Sequence, residues 1–152
     1  MKYRGWLLAA AFMLSGCQSM AGSEMAADTA VEDSRQLVEM PAQARVYMRE
    51  DMLDHLAAMS EIMGLMSTED WVAAAEVAET RMGRSSMGKY RDTGMGPGRF
   101  MPLEMRQLGW NMHEAASRFA EVAKTGDGPR AWAALQDVTA SCVACHYSYR
   151  TR

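Results

Sequence analysis

Cysteine is scarce in this chain of 152 residues: there are three, at positions 17, 142 and 145. A structural zinc site wants four ligands at recurring spacings, and no second cysteine pair or paired histidine is present to complete one. A thioredoxin-like dithiol wants a βαβ setting, and nothing around residue 142 reads as strand. Sustained period-2 alternation is missing throughout, so the pattern does not build a sheet protein. The apolar run at 6–14 is too short to cross a bilayer. Basic clusters are also missing, and the formal charge is −3, which argues against a nucleic-acid partner. Nothing resembles a catalytic triad, a phosphate-cradling loop or a second metal site. The chain therefore does not read as an enzyme.

What is present sits almost at the end: Cys142-Val143-Ala144-Cys145-His146. Cys-x-x-Cys-His is the attachment signature of a c-type haem. The two thiols add across the haem vinyl groups, and the histidine nitrogen becomes an axial ligand to iron. On a helix, residues i, i+3 and i+4 share one face, so both sulfurs and the imidazole can grip one porphyrin.

The opposite end of the chain reads as an address. Lys2 and Arg4 precede the apolar run, which closes on Leu14-Ser15-Gly16-Cys17. This matches a secretory signal, and its last four residues resemble a bacterial lipobox. Residues 1–16 are then a lipoprotein signal peptide and Cys17 the lipidated N-terminus, held firmly at a membrane by several acyl chains. Cys17 would carry lipid, and Cys142 and Cys145 haem, leaving no thiol for a disulfide. Export and haem motif agree, because bacteria attach haem c outside the inner membrane. Cleavage removes Lys2 and Arg4 and makes the domain more acidic. Residues 17–40, rich in Ala, Ser, Glu, Asp and Met, read as a flexible tether. Residues 41–152 suit a single domain with one core.

That domain carries four helical patterns. In the first, Met48, Met52, His55, Met59, Ile62 and Met66 step by four and three, the seam of a bundle helix. Ser67 with Asp70 makes an imperfect capping box ahead of a second seam, Trp71, Ala75, Ala78 and Met82, with Gly83 as its stop. Pro102 opens a third, with Met101, Met105, Leu108, Met112, Ala115, Phe119 and Val122 on one stripe. After 126–129 the fourth runs Ala131, Leu135, Val138, Cys142, Cys145, Tyr149, directly into the motif. Connections are short except the one at 84–100, which predicts antiparallel neighbours. The expected fold is all-α: an antiparallel four-helix bundle with haem c attached near its C-terminus.

A bundle ending in Cys142-x-x-Cys145-His146-x-x-Tyr149-Arg150 resembles the class II c-type cytochromes, the cytochrome c′ group and its low-spin relatives. The resemblance spans about residues 41–151, and its specific part is this ending. It implies that the first helix supplies the residue over the distal haem face. An apolar residue there leaves iron open to small gases, and a methionine there closes it as sixth ligand. Aligned by its seam, the first helix offers Met52, with Met48 and His55 as alternatives. Met48 also occupies the place where the family usually carries a basic residue, with Arg45 and Arg49 beside it. Methionines at seam positions commonly fill core gaps, and sixteen are present in the chain. His113, one step off the third seam, reads as partly exposed. Trp71, Trp110 and Trp132 read as packing residues, and Tyr147 and Tyr149 as neighbours of the haem edge.

The connection at 84–100 is long, glycine-rich and basic, carrying Arg84, Lys89, Arg91 and Arg99 against Asp92. It is either a docking surface for an acidic redox partner or a plain connector. The combined expectation is a lipid-anchored periplasmic monohaem cytochrome, with iron held by His146 and Met52, that passes single electrons to a periplasmic or membrane redox partner. Binding of nitric oxide or carbon monoxide at an open distal face is the alternative. The resemblance also implies a possible homodimer. Gln18 after the lipid cysteine leans toward outer-membrane sorting without deciding the membrane.

Overall fold

The computed structural model describes residues 33–152, so the proposed signal, Cys17 and most of the tether lie outside the described residues. Four helices follow in order: α1 (Ala42–Ser67), α2 (Trp71–Arg81), α3 (Leu103–Ala123) and α4 (Gly128–Ser148). Two three-residue strands flank them, β1 (Gln36–Val38) and β2 (Tyr149–Thr151). No described helix is long and apolar enough to cross a membrane.

The helices stand where the seams put them. Ala58, Ile62 and Met66 of α1 meet Ala74, Ala75 and Ala78 of α2, with Met112, Ala115, Phe119 and Ala123 of α3 and Ala131, Leu135 and Val138 of α4. Alanine dominates the facing positions, so backbones approach closely around the larger Phe119, Ile62 and Met66. The chain reverses between neighbours. Arg81 at the end of α2 bonds Asp54 and Glu61, well before the end of α1. Trp71 at the start of α2 lies against Gly128, at 3.3 Å from a Cβ built there, whereas Glu79 lies beside Ser117 farther back on α3.

Local chemistry sets the ends. Asp127 caps α4 by accepting from the Arg130 amide, and Pro129 follows inside the first turn. The expected Ser67–Asp70 box is not formed. Asp70 alone caps α2 through the Ala73 amide, and the Ser67 hydroxyl turns back to donate to the Gly64 carbonyl. Pro41 and Pro102 sit just before their helices, at the capping position.

Two expectations are corrected. The tether at 17–40 does not run unstructured to its end. β1 pairs in parallel with β2, Gln36 opposite Tyr149 and Val38 opposite Thr151, and Val38 and Met40 are buried. Their burial against Ala44 and Met105 supplies the reason, since two apolar side chains outweigh a polar composition. Tyr149 accordingly leaves the helix and joins β2. The long connection is also more ordered than a plain linker. It contains three single 3₁₀ turns, Arg84–Ser86, Arg91–Thr93 and Pro97–Arg99. The Tyr90 ring stacks on Tyr47 of α1 with centroids 4.1 Å apart, its hydroxyl donates to Glu50, and Lys89 pairs with Asp51.

Its start is fixed by one buried polar cluster. The Ser117 hydroxyl, the buried polar side chain of α3, donates to Glu79 Oε2 and accepts from the Arg84 amide. The Ser85 amide donates to Glu79 Oε1. α2 ends after eleven residues, and this connection occupies the side of the bundle that α2 leaves.

Candidate haem site

The last turns of α4 carry the motif. Cys142 and Cys145 are free thiols, each half-buried. Cys142 packs against the main core, and Cys145 against a smaller cluster of Val38, Met40, Ala44 and Met105. Burial raises the pKa of both thiols, for Cys145 with a further contribution from Cys142, so both stay protonated at neutral pH. His146, one position on, is exposed. With Cys142, Val143, Tyr147, Ser34 and Arg35 it borders a shallow hollow of about 430 Å³. The backbone around it is tied down: Arg35 donates to the His146 carbonyl at 3.4 Å, and Arg150 Nε to the Arg35 carbonyl at 3.2 Å.

The candidates from α1 lie on a larger cavity of about 830 Å³. Met48, Met52 and His55 line it from α1, Arg106, Gly109, Trp110, Met112 and His113 from α3, and the 84–100 connection closes the remaining side. Met52 is half-buried, at the centre of the α1 wall. Met48 lines the same cavity and also packs on the smaller cluster with Cys145 and Tyr149. His55 meets His113 edge to face, ring centroids 5.8 Å apart, and His113 Nδ1 lies 2.7 Å from the Met82 carbonyl. Burial, and then the charge of His113, lower the His55 pKa to about 4 against the opposing pull of Asp54. At neutral pH the ring is uncharged.

The expected packing roles divide. Trp71 is packed into the core, whereas Trp110 and Trp132 are largely exposed, and Tyr147 is 81% exposed. Tyr149 is half-buried beside Cys145's cluster.

Several features fit these residues to a covalently held haem. α3 packs closely on α4 and α2 on both α1 and α3, yet α1 and α4 scarcely touch. Met48 of α1 and Cys145 of α4 nonetheless pack on one small cluster, while Met52 and His146 border separate cavities. Among the described residues no three His, Cys, Asp or Glu side chains converge as a metal-ion site, the motif's own three included. That donor arrangement does not suit a tetrahedral zinc and does suit two separate thioether bonds with one imidazole. Finally, Arg106 Nε is buried without a hydrogen-bond partner on the wall of the larger cavity.

Residues 102–150, which take in α3, the following turn and α4 with its motif, match the family model described as Cytochrome C'. Over these residues, about a third of its length, the chain is similar to the class II c-type cytochromes. That family binds covalent haem c, and Cys142 and Cys145 lie within the matched residues. The matched segment does not reach α1, so it carries no information on the distal residue. No curated protein and no solved structure matches the chain. Members of this cytochrome family are periplasmic in bacteria and serve as electron carriers or gas binders with redox partners.

One site residue escaped the sequence reading. Arg106 stands beside the apolar stripe of α3, next to Met105, where a charge reads as the start of the solvated face. Only the cavity opened by the short α2 turns it inward.

Proposed function

We propose that this cytochrome is an electron carrier tethered by lipid on Cys17 to the periplasmic face of a membrane. Cys142 and Cys145 form the two thioether bonds, and His146 supplies the proximal imidazole. Met52 supplies the sixth ligand. Haem contributes an iron that changes oxidation state by one electron. The chain's contribution is to hold that iron between two fixed side chains so that little reorganises when the charge changes. A thioether is soft and neutral and favours the ferrous state, so His/Met ligation sets a raised potential.

The observation that most supports this reading is that Met48 of α1 and Cys145 of α4 pack on one cluster, Val38, Met40, Ala44 and Met105, so the α1 methionine row begins beside the motif's second cysteine. Met48 is the second candidate for the sixth position, favoured by its packing on the cluster that Cys145 also joins. His55 is disfavoured as ligand, since it is already engaged edge to face with His113. The folded haem domain begins at residue 34 on this reading, with the tether shortened to 17–33.

Attachment is tested by expressing the full chain in a haem c-maturing bacterium and comparing it with Cys142→Ala/Cys145→Ala. The intact protein keeps its haem stain through a denaturing gel and gains the mass of one haem and of the acyl groups. The double variant loses the stain. A stain that survives in the double variant, or none in the intact protein, overturns the assignment. Mass at the N-terminus without acyl groups overturns the lipid tether alone.

A further inference from the structure

We propose that the outer face of α1 rests on an anionic membrane surface. The inference deepens the lipid tether proposed above, and rests on it for bringing the domain to the bilayer. A surface helix ordinarily turns its apolar stripe to the core and charged or polar residues to water. α1 departs from that pattern. Its core face is apolar through Ala58, Ile62 and Met66. Yet Val46, Leu53, Leu56 and Met63 are exposed, Leu53 at 61% and Leu56 at 69%. At 3.6 residues per turn these four share one arc of about 100°, on the side away from the core.

Charge is sorted in the same way. The charged residues on that arc are Arg45 and Arg49, both exposed and in no ion pair among the described residues. The four acids of α1 lie off the arc and are engaged. Glu50 accepts from the Tyr90 hydroxyl, Asp51 pairs with Lys89, and Asp54 and Glu61 pair with Arg81. A chain of net charge −3 thus presents one helical face of apolar and cationic side chains without a carboxylate. That combination matches the negative headgroups and the acyl boundary beneath them.

The chain that precedes the domain brings the two together. From Cys17, the proposed acyl site, to Ser34, where the domain begins, it can reach at most about 60 Å whatever its path. α1 opens shortly afterwards at Ala42. A face of low affinity suffices there, because the anchor makes its contact with the bilayer intramolecular. A second copy of the chain is a poorer match. Four apolar side chains along one helix fall short of the roughly 20 residues a side that a stable dimer uses. The exposed Val143 and Tyr147 of α4 border the hollow at the motif and belong to that site.

The experiment uses the full mature holoprotein in two forms, acylated and as Cys17→Ser exported through an ordinary cleavable signal. Acyl mass on the first form tests the tether alone, and vesicle binding by the second tests the face alone. Cys17→Ser is expected to co-sediment with vesicles of phosphatidylethanolamine and phosphatidylglycerol at low salt. It is released when phosphatidylcholine replaces both lipids or when salt is raised. Arg45→Gln and Arg49→Gln each weaken binding about fivefold. Leu53→Ser/Leu56→Ser weakens it by roughly tenfold. Arg118→Gln, on the exposed side of α3, leaves it unchanged. The far-ultraviolet helical signal verifies the fold of each variant. Failure of Cys17→Ser to bind, or equal binding by every variant, overturns the proposal whether or not acyl groups are found. So does a Cys17→Ser chain that runs as a dimer and becomes monomeric in Leu53→Ser/Leu56→Ser, because a second copy then covers the face.

Discussion

On the proposed ligation, Met52 is the residue on which the distal side turns. A methionine at a bundle seam is ordinarily interchangeable with leucine, at a cost below about 1.5 kcal/mol. As an iron ligand it is not interchangeable. Met52→Leu is expected to leave the melting temperature almost unchanged while converting low-spin ferric iron to high-spin, read by optical and paramagnetic spectroscopy. If only Met48→Leu has that effect, the register of α1 is one turn earlier. His55 makes a separate prediction. Its folded pKa of about 4 lies below the usual histidine value of 6.5, so the unfolded chain binds the proton first between those limits. Stability is fully present above about pH 6.5 and falls as the pH drops toward 4, by roughly 3 kcal/mol at most. Denaturant titrations of His55→Gln over this range are expected to show a flatter profile than the unsubstituted protein. An unchanged slope contradicts the assignment of the uncharged ring.

Among the elements, the four helices were legible because seam spacing and burial coincide. Ile62, Met66, Ala75, Ala78, Met105, Met112, Phe119, Leu135 and Val138 are all buried as the periodicity requires. The short strands were not legible, since three residues carry no usable period. Their pairing and the burial of Val38 and Met40 against Ala44 and the distant Met105 hold them. The pairing predicts that Val38→Ala destabilises the domain by about 2 kcal/mol. It also predicts faster amide exchange at Arg150. A denaturant midpoint that does not move would mean that the strand contributes nothing. The α2 junction was half legible. Gly83 was readable as a stop, but its reason is not a left-handed backbone. A Cβ there would run into the Glu79 carboxylate and lie 2.8 Å from the Glu79 carbonyl. Burial raises the Glu79 pKa, but bonds from Ser117 and Ser85 more than offset it and leave the carboxyl below its usual value. Gly83→Ala is therefore expected to cost about 2 kcal/mol, by the loss of these bonds to the start of the connection. Glu79→Gln, which keeps the shape, should cost less.

For the molecule as a whole, the sequence reading put the motif and its α1 candidates on helices, and the structure has them there, bordering separate cavities. The cavity was not legible, because it depends on α2 being too short to fill its side of the bundle. The proposed haem would be held by the folded chain and would add to its stability. Cys142→Ala/Cys145→Ala, which lacks the covalent group, is expected to keep its far-ultraviolet helical signal. Its thermal transition should come roughly 10–20 °C lower, equivalent to about 3–5 kcal/mol. Equal melting temperatures would mean that the haem adds nothing to the stability of the fold.

The most direct test of the account is the optical and paramagnetic spectrum of the purified holoprotein, ferric and ferrous, with and without carbon monoxide. Ligation by His146 and Met52 predicts low-spin ferric iron, a methionine-to-iron charge-transfer band, and no response to the gas. A high-spin spectrum that shifts promptly with carbon monoxide would contradict it. Met52 would then be a cavity-lining core residue, and the open distal face of a gas-binding cytochrome would take its place.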